Sequence, residues 1–95
     1  MTSLETLGVG DFAPTVSDTY TLDLGEPGAI AIVLEEAEAQ RAEPRPFSLV
    51  FRGPLEPQLA QGTYDLAHPG LGALALFLVP ISRDEDGMRY EAVFA

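Results

Sequence analysis

Cysteine, lysine and tryptophan are all missing from this chain of 95 residues, and histidine occurs once. Without cysteine there is no disulfide framework, no thiolate set for zinc or an iron–sulfur cluster, and no thiol nucleophile. Without lysine, five arginines face 15 acidic residues, and the formal net charge is −10. That balance repels phosphate backbones and anionic membranes. The basic clusters that would overcome it are missing, Arg41 and Arg45 being the closest pair, so neither nucleic acid nor a membrane is expected as a partner. Long hydrophobic runs are missing too: no stretch approaches the roughly 20 apolar residues of a membrane-spanning helix. The opening MTSLETLGVG lacks the basic and apolar regions of a secretory signal, so a cytoplasmic location is the expectation. Catalytic material is equally thin. His68 has no cysteine to activate, and Ser3, Ser17, Ser48 and Ser82 lack a nucleophile-elbow context. Carboxylate pairs are available, but a chain this short keeps little material for a sugar-enclosing cleft once its core is filled. No catalytic residue, metal ligand or cofactor is therefore assigned.

What is present is a series of strand-length apolar runs punctuated by proline, glycine and aspartate. Tyr20, Leu22 and Leu24 alternate with polar residues and are expected to face inward, and Ile30, Ile32 and Leu34 share a face of the run 29–39. Gly25-Glu26-Pro27-Gly28 joins the two as a hairpin. The stretch 40–46, with Arg41, Glu43, Pro44, Arg45 and Pro46, reads as an exposed loop. Phe47, Leu49 and Phe51 point inward from a third strand stopped by Gly53-Pro54, and 55–61 then crosses one end of the sheet. From Gly62 two further hairpins run to the C-terminus, turning at His68-Pro69-Gly70 and at Asp84-Glu85-Asp86-Gly87. Ahead of the first strand, Thr2 to Glu5 has capping-box spacing. Gly8, Gly10 and Pro14 limit any helix to one or two turns ending before Ser17, with Asp11 a candidate cap. The expected fold is one all-β domain over 1–95, a small antiparallel barrel or sandwich of about six strands with one short N-terminal helix. No internal repeat or low-complexity tract stands out.

The run 72–81 differs from the other strands because both faces are apolar: Leu74, Leu76 and Leu78 on one, Ala73, Ala75, Phe77 and Val79 on the other. A half-exposed antiparallel strand alternates with polar residues, so a cover is expected over the second face. Sandwich packing under the N-terminal helix is the first expectation; a barrel interior with a crossing loop, or a subunit or partner interface, are the alternatives. Left open to water, the face is an apolar patch that calls for a partner. Ala73, Ala75, Phe77 and Val79 are accordingly the candidate partner-binding residues, joined by Tyr64 and His68 if these share an exposed rim. Otherwise His68 is expected as a solvated or backbone-bonded turn residue. Pro80 suits an edge or a bulge. Asp84-Glu85-Asp86-Gly87 resembles half of a calcium loop, but it lacks the remaining ligand spacing and is also an ordinary hairpin turn. Glu91 is expected to be held by Arg52 or Arg89.

The sequence Phe47 to Pro54 is followed by Gln61-Gly62-Thr63-Tyr64, His68, Leu71-Gly72, Leu76 to Ile81, Asp84, Gly87 and Tyr90-Glu91-Ala92-Val93-Phe94. With Asp11-Phe12-Ala13-Pro14 before the first strand, the whole resembles a family of small uncharacterised bacterial proteins. The resemblance spans most of the chain, and the pairing of QGTY with YEAVF is its specific part. Members of that family are often encoded beside proteins with phage-tail-collar domains, so the resemblance implies a role in a tail-like or fibre-like assembly. The chain departs from that family at Ala95, where asparagine is usual, and the resemblance carries over no enzymatic residue. The expectation is a non-enzymatic interaction or accessory protein with a protein partner, a tail-collar or fibre-like one, or a homo-oligomer. A small-ligand or calcium-binding β module is the alternative.

Overall fold

The computed structural model describes residues 7–25, 28–39 and 46–94. The capping box at Thr2 to Glu5, the turn centre at Glu26-Pro27 and the loop carrying Arg41, Glu43 and Arg45 lie outside them. One helical turn, α1 (Val9–Phe12), runs into a 3₁₀ turn at Ala13–Thr15. Its cap is Gly8 rather than Asp11: Asp11 sits three residues on, and its carboxylate accepts the Gly8 N–H at 2.8 Å. Six strands follow, β1 (Thr19–Asp23), β2 (Ala29–Ala39), β3 (Phe47–Gly53), β4 (Gly62–His68), β5 (Gly72–Asp84) and β6 (Gly87–Phe94). They close into an antiparallel barrel in the order β1-β2-β3-β6-β5-β4. Of the two architectures left open by the alternation, the barrel is the one formed.

Alternation decides what fills it. Tyr20, Leu22, Ile32, Leu34, Phe47, Leu49, Phe51, Leu66, Leu74, Leu76, Leu78, Tyr90 and Ala92 all point to the axis and are buried. At one end Phe12 of α1 closes the barrel over Phe47 and Phe94, with ring centroids 5.7 and 5.5 Å away. At the other, residues 54–61 cross the mouth from β3 to β4 and set Leu59 on the core, its N–H donating to the Tyr90 hydroxyl at 2.9 Å. β5 runs past Ile81 to Asp84 by way of a bulge between Pro80 and Ser82. A proline without an N–H is accommodated at such a bulge, since a closed barrel offers no free edge.

The pairings reveal an internal repeat that the sequence reading missed. Thr19–Val33, Tyr20–Ile32 and Leu22–Ile30 recur as Thr63–Phe77, Tyr64–Leu76 and Leu66–Leu74, each residue displaced by the 44 positions that separate Tyr20 from Tyr64. At this offset Thr19-Tyr20, Leu22 and Gly28-Ala29-Ile30-Ala31-Ile32-Val33-Leu34 match Thr63-Tyr64, Leu66 and Gly72-Ala73-Leu74-Ala75-Leu76-Phe77-Leu78. Each half is a three-stranded meander with a bulge in its second strand, at 34/36 in β2 and 80/82 in β5. The halves meet through the antiparallel pairs β1–β4 and β3–β6, so the barrel has approximate two-fold symmetry. Even the caps correspond: Thr15 and Leu59, equivalent by the same offset, are buried ahead of β1 and β4. The repeat is hidden in the sequence because the turns after the first strands differ, and because seven residues join β2 to β3 where two join β5 to β6.

Candidate interaction surface

Closure gives each strand one interior face, so the second apolar face of β5 lies on the outside. The N-terminal helix caps the barrel end and does not lie over β5, and the crossing loop spans the opposite mouth; the expected sandwich cover is corrected accordingly. Ala73, Ala75 and Phe77 are exposed and Val79 is partly so. Phe77 is 53% exposed. One row of outward residues runs Glu38, Ser48, Val93 along the pairings of β2, β3 and β6. The β5–β6 pairing runs from Val79–Glu91 to Asp84–Gly87, so Phe77, two residues before Val79, and Val93, two residues after Glu91, lie past the end of that ladder on neighbouring strands; the neighbour of Phe77 on β4 is Thr63. The next row is Glu36, Val50, Glu91 and Val79. Phe77, Val79 and Val93 thus gather on the outer face of β5 and β6, and Glu91 stands between Val79 and Val50. Val93 is 60% exposed and Ile81, at the β5 bulge, 48%. The sequence reading missed Val93, although its place between inward Ala92 and Phe94 marks it as outward.

Carboxylates surround this surface. Asp65 pairs with Ala75, Glu91 with both Val79 and Val50, and Glu36 and Glu38 lie beyond β3. Among the described residues none of the four is in an ion pair. Arg52 and Arg89 do not hold Glu91, contrary to expectation, because Glu35 at the β2 bulge takes both. Glu35 lies 2.6 Å from Arg89 Nε and 3.6 Å from Arg52 Nη1. The two arginines are directly opposed across β3–β6, a like-charge contact that Glu35 relieves. Asp84 also binds Arg89, at 3.2 Å. Asp86's backbone N–H and the Arg89 guanidinium hold the Asp84 carboxyl below the usual range. Partial burial opposes the charge on Arg89, yet Glu35 and Asp84 raise its pKa further. The acidic turn is thus organised as a hairpin turn around Arg89.

Tyr64 and His68 do not share an exposed rim. They stand at opposite ends of β4; the Tyr64 hydroxyl donates to the Ala60 carbonyl at 2.6 Å. His68 is 9% exposed and turned toward the core, against the Tyr20 ring at 4.7 Å. Its Nδ1 accepts the N–H groups of Gly70 and Leu71 at 3.0 and 3.2 Å. Nδ1 is therefore unprotonated, and Nε2–H donates to Asp18 Oδ2 at 2.9 Å. With both nitrogens engaged, His68 ties the β4–β5 turn to the segment entering β1 and keeps no lone pair for a substrate. Beside it Thr15 donates to the Phe12 carbonyl at 2.7 Å, so the Tyr20 hydroxyl donates to Thr15 at 2.8 Å. Burial pushes the Tyr20 phenol above its ordinary pKa; the Thr15 hydrogen bond acts the other way and the Asp18 charge adds to the rise.

A filled, doubly capped barrel whose two halves share one plan, with an apolar outer surface rimmed by acid, defines a small all-β domain with its distinctive chemistry on the outside. Residues 7–94 match the family described as Domain of unknown function (DUF6916), and the chain belongs to that family. Neither the curated proteins nor the solved structures include a significant match. No helix among the described residues is long and apolar enough to cross a membrane.

Proposed function

We propose that this domain is a non-enzymatic interaction module that docks a protein partner through the outer face of β5 and β6, centred on Phe77 and Val93. One observation carries the reading: large apolar side chains that point outward from two neighbouring strands, more than half exposed, on a barrel that already buries its own core. A closed barrel presents no free strand edge, so a partner engages side chains and does not extend the sheet. The filled axis and capped ends weigh against a ligand held at the mouth. The partner class is a subunit of a tail-like or fibre-like assembly, as the resemblance in QGTY and YEAVF implies. The test is affinity purification of the tagged protein from its native host, with the mass of the complex taken by light scattering. Stoichiometric recovery of a fibre or collar subunit, abolished by Ala75→Glu, is the expected result. A monomer recovered without a partner refutes the reading.

A further inference from the structure

The two halves of the barrel provide an internal comparison of what the fold requires on its outer face and what it does not. In the first half, Val33 on β2 faces Arg52 on β3, and Glu35 lies beside them in an ion pair with Arg52. In the second half, at the same 44-residue offset, Phe77 stands where Val33 does and Val79 where Glu35 does, with Val93 exposed on the third strand; Glu35 sits at the β2 bulge, whereas Val79 is paired with Glu91 ahead of the β5 bulge. One half thus carries a self-paired arginine and glutamate beside Val33, and the other carries Val79 and Val93 near Phe77, with the bulge two residues further along. Barrel closure is indifferent to the difference, so the apolar set is not a requirement of the fold. Its inward neighbours Leu76, Leu78 and Ala92 are buried just as Ile32, Leu34 and Phe51 are.

From this divergence, and resting on the docking reading above, we infer that the occupant of the Phe77–Val79–Val93 surface is a basic protein segment: an aliphatic or aromatic side chain flanked by lysine or arginine. Charge complementarity selects it. Asp65, Glu91, Glu36 and Glu38 rim the surface without ion-pair partners among the described residues, whereas the equivalent surface of the first half neutralises itself through Glu35, Arg52 and Arg89. A second copy of the chain is a poor occupant, since it brings its own −10 charge and the same acidic rim to an isologous contact. Steering by the acidic rim makes association fast at low salt and slower as salt screens it.

The test uses a displayed library of random peptides, selected on the immobilised full chain at low salt and counter-selected on the Phe77→Ser variant. Phe77 is exposed, so this variant keeps the wild-type thermal transition, which is checked first. The expected winners combine an apolar side chain with lysine or arginine. A synthetic winner is expected to lose about tenfold or more in affinity on Phe77→Ser and on Val93→Ser, as a central anchor does. It keeps its affinity for Val33→Ser, the equivalent site of the other half, and weakens steadily as salt is raised. Winners that depend on Phe77 but are acidic or indifferent to salt overturn the basic occupant and leave the docking surface standing. Winners indifferent to Phe77, or no enrichment, overturn both. A wild-type dimer in light scattering that Phe77→Ser dissolves replaces the basic segment with a second copy.

Discussion

Replacing Gly87 by alanine tests whether the barrel closes at β3–β6 as described. Gly87 opens β6 with φ +141°, a region open to glycine and scarcely to L side chains. A Cβ there points straight at the carbonyl oxygen of Gly53, the last residue of β3, and also meets Arg52 Cγ at 3.4 Å. The backbone conformation costs about 1–3 kcal/mol and the collision, relieved only by moving two paired strands, about 1–3 kcal/mol more. A loss of about 2–6 kcal/mol is a large part of the roughly 5–15 kcal/mol that holds a small domain folded. Two other glycines separate these costs. Gly25→Ala meets φ +81° with nothing within 4 Å, and measures positive φ alone. Gly10→Ala lies in α1 with open space around it, and is expected to be neutral or stabilising by up to about 1 kcal/mol. Urea titrations followed by circular dichroism give all three, as shifts of midpoint at constant slope. If Gly87→Ala is no worse than Gly25→Ala, the close approach of β6 to Gly53 is wrong.

Tyr90→Phe removes the hydroxyl that accepts the buried Leu59 N–H, and is expected to cost about 1–3 kcal/mol in the same titration, because the orphaned donor has no second partner among the described residues. An unchanged midpoint would mean that the 54–61 crossing is not fastened there. Phe12→Ala opens the aromatic cap over Phe47 and Phe94 and is expected to cost about 3–5 kcal/mol, lowering the thermal midpoint measured by calorimetry. For Tyr20, the folded pKa is raised, so its contribution to stability is complete below the ordinary value of 10.0 and is lost as pH rises through the folded value. A phenolate-absorbance titration of the wild type, less that of Tyr20→Phe, is expected to show ionisation above 10.0; a difference centred at or below it contradicts the burial of Tyr20.

The all-β class, the six strands and most of their inward residues were legible from alternation, since a period of two fixes which side chains share a face whatever the sheet does next; Leu24, expected to face inward, lies past the end of β1 and is exposed. The short helix was legible too, though not its cap: Gly8 and Asp11 divide that task between a backbone N–H and a carboxylate three residues later. The sequence singled out the doubly apolar run around Phe77 but could not say what covers it, because covering depends on whether the sheet closes, and closure is set by the β1–β4 and β3–β6 pairings between residues distant in the chain. The fate of His68 was hidden for the same reason: Asp18, its partner, is fifty residues away. So was the repeat, whose halves are matched by strand pairings. Composition and periodicity by themselves determined an acidic, cysteine-free β domain with an apolar strand to account for. Only tertiary pairing decided that this strand shows one face to water, and that in the matching half Val33 lies beside the ion-paired Arg52 and Glu35.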